Sequence, residues 1–446
     1  MKTFFVCPPR RGIRSRLTLP GDKSIAHRAV IIASLADGST VIKNFPANQD
    51  CLTTIRLFQK LGVRITSHLR GKNKYIKVFG KVYAALKEPR GPLFAGDSGT
   101  TLRLTLGVLA GCDFKARLTT AKSLAKRPML RVTVPLRMMG AKITGRKNAL
   151  SGKEEYPPLT IEGNSNLLPI DYQIPVASAQ VKSAILLAGL QARGITRIKE
   201  PLATRDHTER MLRLFKVKVE TKGRVIAIKG KQQLRSPGII YIPADISSAG
   251  FFIVLAVILA RSNIVIAKVG LNPSRLGVIN VLKRMGADIK IKSYRRKTAG
   301  SEPLGDIAVR SSALRAVRIT AGEVPYLIDE LPVLMVAACF AQGKSIFEGI
   351  RELRVKETDR INSMCLNLKK MGADIRVIKG NGSEKIVIRG RKPLRGCRIR
   401  SFGDHRTAMS MVVAGLAAQG RSVLDDAGCI NKSFPEFLSI LKGLLG

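Results

Sequence analysis

Six short stretches of this chain carry the residue types best suited to chemistry. They are Gly21-Asp22-Lys23-Ser24, Gly96-Asp97-Ser98-Gly99-Thr100-Thr101, Ala177-Ser178-Ala179-Gln180, Asp245-Ile246-Ser247-Ser248, Ile328-Asp329-Glu330 and Gly403-Asp404-His405-Arg406. Each precedes an apolar run of helical length, so each reads as a helix N-terminus, where unpaired N–H groups and the positive end of the helix dipole favour anions. Taken singly, Ser, Thr, Asp and Gly at such places are ordinary caps. Six of them at equivalent positions, several beside Lys or Arg, would make a polyanion trap if they faced one gap. Two clusters add charge of both signs, Lys126-Arg127-Pro128-Met129 and Leu353-Arg354-Val355-Lys356-Glu357-Thr358-Asp359-Arg360. In the second, the i, i+4 spacing predicts Lys356 and Arg360 on one helical face.

Other chemistries lack their residues. His27, His68, His207 and His405 have no H-x-x-x-H or carboxylate partner at ligand spacing, so no metal site is expected, and no cofactor. His27, His207 and His405 lie near expected helix starts and read as helix-start or anion-contact residues. Gly96 to Thr101 is followed by no Gly-Lys-Ser/Thr, which argues against a nucleotide-binding P-loop. Seven scattered cysteines without a C-x-x-C pair read as reduced and structural.

The elements that must position these residues repeat. Ser24 to Ile42, Gly99 to Leu118, Gln180 to Ile198, Ser248 to Ile266, Asp329 to Phe347 and His405 to Leu424 each run from a polar start through an apolar helix to a β-branched strand. A second pattern interleaves, an amphipathic helix closed by a Gly turn and a strand: Leu52 to Ile65, Leu130 to Ile143, Leu276 to Ile289 and Ile361 to Ile375, with degenerate copies at Asp206 to Val219 and Phe434 to Leu445. Each unit is an α+β module that cannot bury both faces alone. The helices of the first pattern are apolar nearly all round, which predicts helices inside and sheets outside. Six modules divide economically into two domains of three, over 21–243 and 244–446, with 1–20 contributing to the second.

A length of 446 residues with 45% hydrophobic content fits two domains. The longest apolar runs fall short of the roughly 18 to 20 residues that cross a bilayer, and Met1 to Cys7 is too short for a secretory core, so a cytoplasmic protein without membrane contact is expected. The net charge of +46 would ordinarily suggest nucleic-acid binding. Yet Lys and Arg are spread along the chain, Trp is absent, and no recognition helix, zinc finger or RNP signature occurs. A polyanion- or nucleic-acid-binding protein on the same scaffold is therefore the secondary reading, with non-specific binding as a side property.

Nine motifs in order resemble the 5-enolpyruvylshikimate 3-phosphate synthase family over essentially the whole chain: Leu19 to Ser24 with His27-Arg28, Ser98 to Thr101, Lys126 to Met129, Ser178 to Ser183, Arg205 to Arg210, Ile328 to Pro332, Glu352 to Glu357, Gly403 to Arg406 and Ser433 to Pro435. The resemblance implies an α/β fold of two inside-out, barrel-like domains, each of three βαβαββ-type repeats with buried parallel helices and outer sheets, and an active site in the cleft between them. It implies transfer of enolpyruvyl from phosphoenolpyruvate to shikimate 3-phosphate by an expected monomer, with these two small molecules as partners. Lys23, Ser24, Arg28, Ser178, Ala179, Gln180, Arg205, Asp329 and Lys356 would hold shikimate 3-phosphate. Lys23, Asp97, Gly99, Thr100, Arg127, Gln180, Arg360, Arg406 and Lys432 would hold phosphoenolpyruvate. Asp329 would act as base towards the hydroxyl and Glu357, beside Lys23 and Lys356, in proton delivery. The substrates together carry about six negative charges, for which these cations and Arg103 suffice. Gly99 keeps the small residue that in the family leaves room for the inhibitor glyphosate. Two departures bear on affinity: Asp97 replaces the family's usual Asn, placing a carboxylate against an anion, and Ala121-Lys122 replaces a common Gly-Asp. The sister transferase acting on UDP-N-acetylglucosamine is the nearest alternative, but no cysteine here matches its mobile-loop position.

Overall fold

The computed structural model describes residues 3–69, 71, 74–147, 154–294, 300–380, 384–390 and 392–445. The chain separates into two compact units. The first takes Gly21–Ile242 and Arg295–Glu302; the second takes Met1–Pro20, Pro243–Tyr294 and Pro303–Gly446. Each unit has its own hydrophobic core.

The core of the first unit is built on the helices Lys23–Ser34, Gly99–Leu109 and Ala179–Gly189. That of the second is built on Ile246–Ile258, Leu331–Phe340 and His405–Leu416. Their sequences have no polar face, and accordingly every residue from Ile246 to Val257 is buried. Each fully buried Val, Leu, Ile or Phe stabilises the fold by about 1.5–3 kcal/mol relative to exposure. Small residues set the spacing: a Cβ on Gly107 would lie 2.3 Å from the carbonyl oxygen of Ala184, so the second and third helices of the first unit approach too closely for any side chain there.

Sheets cover these helices. In the first unit Ile239–Tyr241, Ser39–Lys43, Tyr75–Phe79 and Arg64–His68 form one; Leu93–Phe94, Lys115–Thr119, Glu155–Glu162 and Lys142–Lys147 the second; and Asp171–Gln173, Ile195–Lys199, Val225–Lys229 and Val219–Lys222 the third. In all three the first pair is parallel and the others are antiparallel. Inner strands such as Ser39–Lys43, Tyr75–Phe79 and Glu155–Glu162 alternate buried and outward side chains, as a half-covered sheet requires. The second unit repeats the plan, and the start of the chain completes it. Arg14–Thr18 pairs in parallel with Asn263–Gly270, and Phe4–Val6 pairs antiparallel with Ser422–Leu424.

Amphipathic helices fill the corners, among them Gln49–Lys60, Leu130–Met138, Gly277–Arg284 and Arg360–Lys370. The glycines closing them, Gly62, Gly140, Gly286 and Gly372, have φ near 90–110°, where a Cβ is costly. The degenerate copy His207–Leu214 makes the same turn on Lys216, at φ 69°. Residues 300–302, which the sequence spacing assigns to the second domain, belong instead to the first unit. Glu302 Oε1 lies 2.7 Å from His207 Nδ1, and Gly300 lies so close to the end of helix His207–Leu214 that a Cβ would meet the Leu214 nitrogen at 2.6 Å.

Candidate active site

In the first unit the three core helices start on side-chain caps: Asp22 accepts from Ile25 N–H, Ser98 from Thr101 N–H and Ser178 from Val181 N–H. The caps fix where Lys23, Ser24, Gly99, Thr100, Ala179 and Gln180 stand, on the first turns of those helices. Lys23 Nζ lies 3.0 Å from Asp50 Oδ2. Arg28, one turn further in, is buried and donates from Nε to Thr208 Oγ1 (2.7 Å), from Nη1 to the Ser24 carbonyl (2.9 Å) and from Nη2 to Ser183 Oγ (2.9 Å). Three of its five N–H groups are thus spent on positioning. Burial, opposed by Glu209 and reinforced by Arg205, pushes Arg28 down to about 10. An anion placed against Arg28 and Arg205 relieves that penalty.

A second chain of bonds crosses from helix to helix: Arg103 Nη1 donates to Gln180 Oε1 (2.8 Å), and Gln180 Nε2 donates to Thr100 Oγ1 (2.9 Å). Gly99 lies beside it. A Cβ there would sit 2.6 Å from Arg103 Nη1 and 3.7 Å from Arg127 Nη1, so the absence of a side chain brings two guanidiniums to the helix start. Beneath lies a buried ion group in which Lys182 Nζ meets Glu200 (3.0 Å) and Glu209 (2.7 Å). Burial works against its charge, but Glu209 and Glu200 outweigh it and hold the ammonium above its ordinary range. His27 corrects the sequence reading. It is a core residue, completely buried with Nδ1 2.7 Å from Thr54 Oγ1, and burial followed by Lys23 and Arg28 holds it well below the usual histidine range, hence neutral.

In the second unit Arg360 is the centre. It opens helix Arg360–Lys370, is 2% exposed, and gathers three carboxylates: Asp404 Oδ2 on Nε at 2.9 Å, Glu357 on Nη2, and Asp329 Oδ1 3.7 Å from Nη1. Burial disfavours its charge, yet Asp404, Glu357 and Asp329 together raise it. Asp329 and Glu357 keep about a fifth of their side chains exposed while Asp404 has none, so two of the three can reach a ligand. Asp404 also caps helix His405–Leu416, accepting from Arg406 N–H (2.7 Å) and Thr407 N–H (3.2 Å). Arg406 follows it, 6% exposed, its guanidinium 5.8 Å from the Phe251 ring and its Nη1 without a hydrogen-bond partner among the described residues. Lys356 is lowered by burial first, with Arg360 adding, against Glu352, Asp329 and Glu357. The i, i+4 face expected for Lys356 and Arg360 is not formed. Lys356 ends the 3-10 turn Ile350–Val355 and only Arg360 begins the α-helix, because Asp359 caps it by accepting from Asn362 N–H. Lys432 closes the turn Gly428–Lys432.

A family model described as EPSP synthase (3-phosphoshikimate 1-carboxyvinyltransferase) matches residues 8–441. The chain belongs to this family. A 3-phosphoshikimate 1-carboxyvinyltransferase of Geobacillus kaustophilus is 47% identical across 97% of this chain and 98% of its own length. One of Desulforamulus reducens is 44% identical across 99% of both. The EPSP synthase structure from Acinetobacter baumannii matches with a TM-score of 0.86 at 40% identity, covering 100% of this chain and 98% of that one. The enolpyruvyl transferase NikO from Streptomyces tendae shares the fold, with a TM-score of 0.76 at 17% identity over 99% and 97%.

Asp97, one of the departures from the EPSP synthase pattern, has a hydrogen-bond donor within its own unit. Ser123 Oγ donates to Asp97 Oδ1 at 2.6 Å, and Ala121 N–H bonds the Gly96 carbonyl at 2.9 Å, so the substituted stretch 121–123 and the Gly96 loop brace each other. Sequence spacing does not reveal Asp404 as the anchor of Arg360, or Asp50, Ser183 and Thr208 as supports of Lys23 and Arg28. Each lies on a different helix from its partner, and only tertiary packing joins them.

Proposed function

We propose that this chain transfers the enolpyruvyl group of phosphoenolpyruvate to the 5-hydroxyl of shikimate 3-phosphate, giving 5-enolpyruvylshikimate 3-phosphate and phosphate. The observation that carries the reading is the match, along nearly the whole chain, to relatives named for this reaction. The polar sets of the two units support it. In the reaction the methylene carbon gains a proton and becomes a methyl group, the 5-oxygen adds to the neighbouring carbon as its own proton leaves, and phosphate departs from the tetrahedral adduct as that methyl group gives up a proton to restore the double bond.

On this reading both sets serve one substrate pair. Ser24, Arg28, Ser178, Ala179, Gln180 and Arg205 grip shikimate 3-phosphate, with Asp329 and Lys356 towards its ring. Gly99, Thr100, Arg127, Arg360, Arg406 and Lys432 grip phosphoenolpyruvate next to Asp97 and Gln180, and Lys23 touches both. Asp329 takes the hydroxyl proton and Glu357 moves the proton at carbon, each held in direction by Arg360. Charge-assisted bonds of about 1.5–3 kcal/mol each suffice to order two polyanions. On this reading the enzyme works as a cytoplasmic monomer. No helix among the described residues is long and apolar enough to cross a membrane.

The test is phosphate release from phosphoenolpyruvate in the presence of shikimate 3-phosphate. Asp329→Asn and Glu357→Gln each lose at least about 10²-fold in turnover while keeping the wild-type circular dichroism spectrum. No acceptor-dependent release by the wild type, or near-normal rates in both variants, refutes the assignment.

A further inference from the structure

Proteins commonly bind single-stranded nucleic acid on an open sheet face that offers rings for base stacking and cations for phosphates. One sheet of the first unit has that composition on the face turned away from the core. Its outward positions follow from the register. Tyr241, Lys43, Tyr75 and His68 form one row across the four strands, Ile239, Val41, Lys77 and Thr66 the next, and Ser39, Phe79 and Arg64 the third. Of the intervening residues, Thr40, Ile42, Ile65, Ile76, Val78 and Ile240 are buried beneath, and Ser67 on the edge strand is exposed.

Tyr75 and Tyr241 are 41% and 37% exposed, and Ile239 is 60% exposed. The rings of His68 and Tyr75 already stack, with centroids 5.4 Å apart and planes 23° from parallel. Arg64 places its guanidinium 4.8 Å from the Phe79 ring centre and Lys77 its ammonium 4.9 Å away, a second platform of ring and guanidinium plane. No Asp or Glu occupies any of these outward positions. The neighbouring sheet is different: there Glu162 stands between Lys115 and Lys142 in the register. A chain of net charge +46 supplies long-range attraction for any polyanion, and this face adds stacking.

We propose that the outer face of the sheet Ile239–Tyr241, Ser39–Lys43, Tyr75–Phe79 and Arg64–His68 binds single-stranded nucleic acid, stacking bases on Tyr75, His68 and Tyr241 and pairing phosphates with Lys43, Lys77 and Arg64. The residues belong to none of the sets assigned to the transferase reaction, so the two activities are separable.

The experiment is fluorescence anisotropy of a labelled oligouridylate with the full chain, across a salt series, with inorganic polyphosphate and a duplex RNA as competitors. Affinity falls with salt, and Lys43→Glu with Lys77→Glu flattens that dependence by about 0.7 in log–log slope per phosphate contact removed. Tyr75→Ala and Tyr241→Ala each weaken binding at least about fivefold, Tyr75→Phe keeps wild-type affinity, and all retain wild-type transferase rates. Equal binding by wild type and both alanine variants overturns the proposal, since net charge alone then accounts for it. Competition by polyphosphate or duplex as effective as by the single strand overturns it too.

Discussion

Replacing Asp404 by Asn removes one charge without changing size, and the two oxygens of Asp404 have separate duties. Oδ1 accepts from the N–H groups of Arg406 and Thr407, and Oδ2 accepts from Arg360 Nε at 2.9 Å. An amide can satisfy one side only. With its oxygen on the helix cap, its NH2 meets the Arg360 N–H; turned round, its NH2 meets two backbone N–H groups. The site is fully buried, so water offers no substitute. Losing one charge-assisted bond costs about 1.5–3 kcal/mol, and Arg360, Glu357 and Asp329 lose their common reference. If that loss falls on the transition state, kcat/KM drops roughly 10- to 150-fold at 1.36 kcal/mol per decade. Urea unfolding should register a stability loss of about the same 1.5–3 kcal/mol, and phosphate release at varied phosphoenolpyruvate the drop in rate. Wild-type values in both measurements would show that Arg360 is oriented by something other than Asp404.

Gly99→Ala pushes Arg103 off Gln180, because its methyl would stand 2.6 Å from Nη1. The KM for phosphoenolpyruvate should rise at least about tenfold, and an unchanged KM in steady-state assays would count against the position assigned to that substrate. His27 stays neutral in the fold, so above its unfolded pKa near 6.5 it contributes nothing to pH dependence. As pH falls below that value the unfolded chain takes up a proton that the folded one refuses. Between pH 6.5 and 5.5 this costs about 1 kcal/mol of stability, and His27→Gln should abolish that share of the slope in paired urea melts. Lys182→Met leaves Glu200 and Glu209 buried without their cation. A loss of about 3–5 kcal/mol is expected in the same assay; a variant as stable as wild type would show that the fold does not depend on this ion group.

The six core helices were legible because burial all round leaves a signature in composition, as in Ile246–Ile258, and because five of them begin with a side-chain cap, Leu331–Phe340 alone among the six having none. The Gly turns were legible for the same kind of reason: Gly62, Gly140, Gly286 and Gly372 occupy backbone conformations that other residues avoid. Local rules failed where tertiary contacts decide. Lys356 and Arg360 have helical spacing, but Asp359 makes a better cap than a helix interior residue, and the helix starts one position later. His27 stands near a helix start among charges in sequence, yet its side chain points inward onto Thr54. Aromatic content of 5% gave no hint of a ring platform, since strand register alone collects Tyr75, His68 and Tyr241 into one row.

The pairing of Arg14–Thr18 with Asn263–Gly270, and of Phe4–Val6 with Ser422–Leu424, has a consequence for synthesis. The ribosome releases the opening segment first, but its neighbours in the sheets follow hundreds of residues later, at 263–270 and 422–424. At about 5–20 residues per second, Arg14–Thr18 waits on the order of ten to fifty seconds for its partner strand. Residues 21–242 of the intervening unit emerge during that delay while the opening segment stays unpaired, and residues 300–302 join that unit later. A stalled or truncated nascent chain ending before residue 263 would therefore expose two orphan strands, Phe4–Val6 and Arg14–Thr18, beside a nearly finished half, a species for chaperones or proteases to recognise.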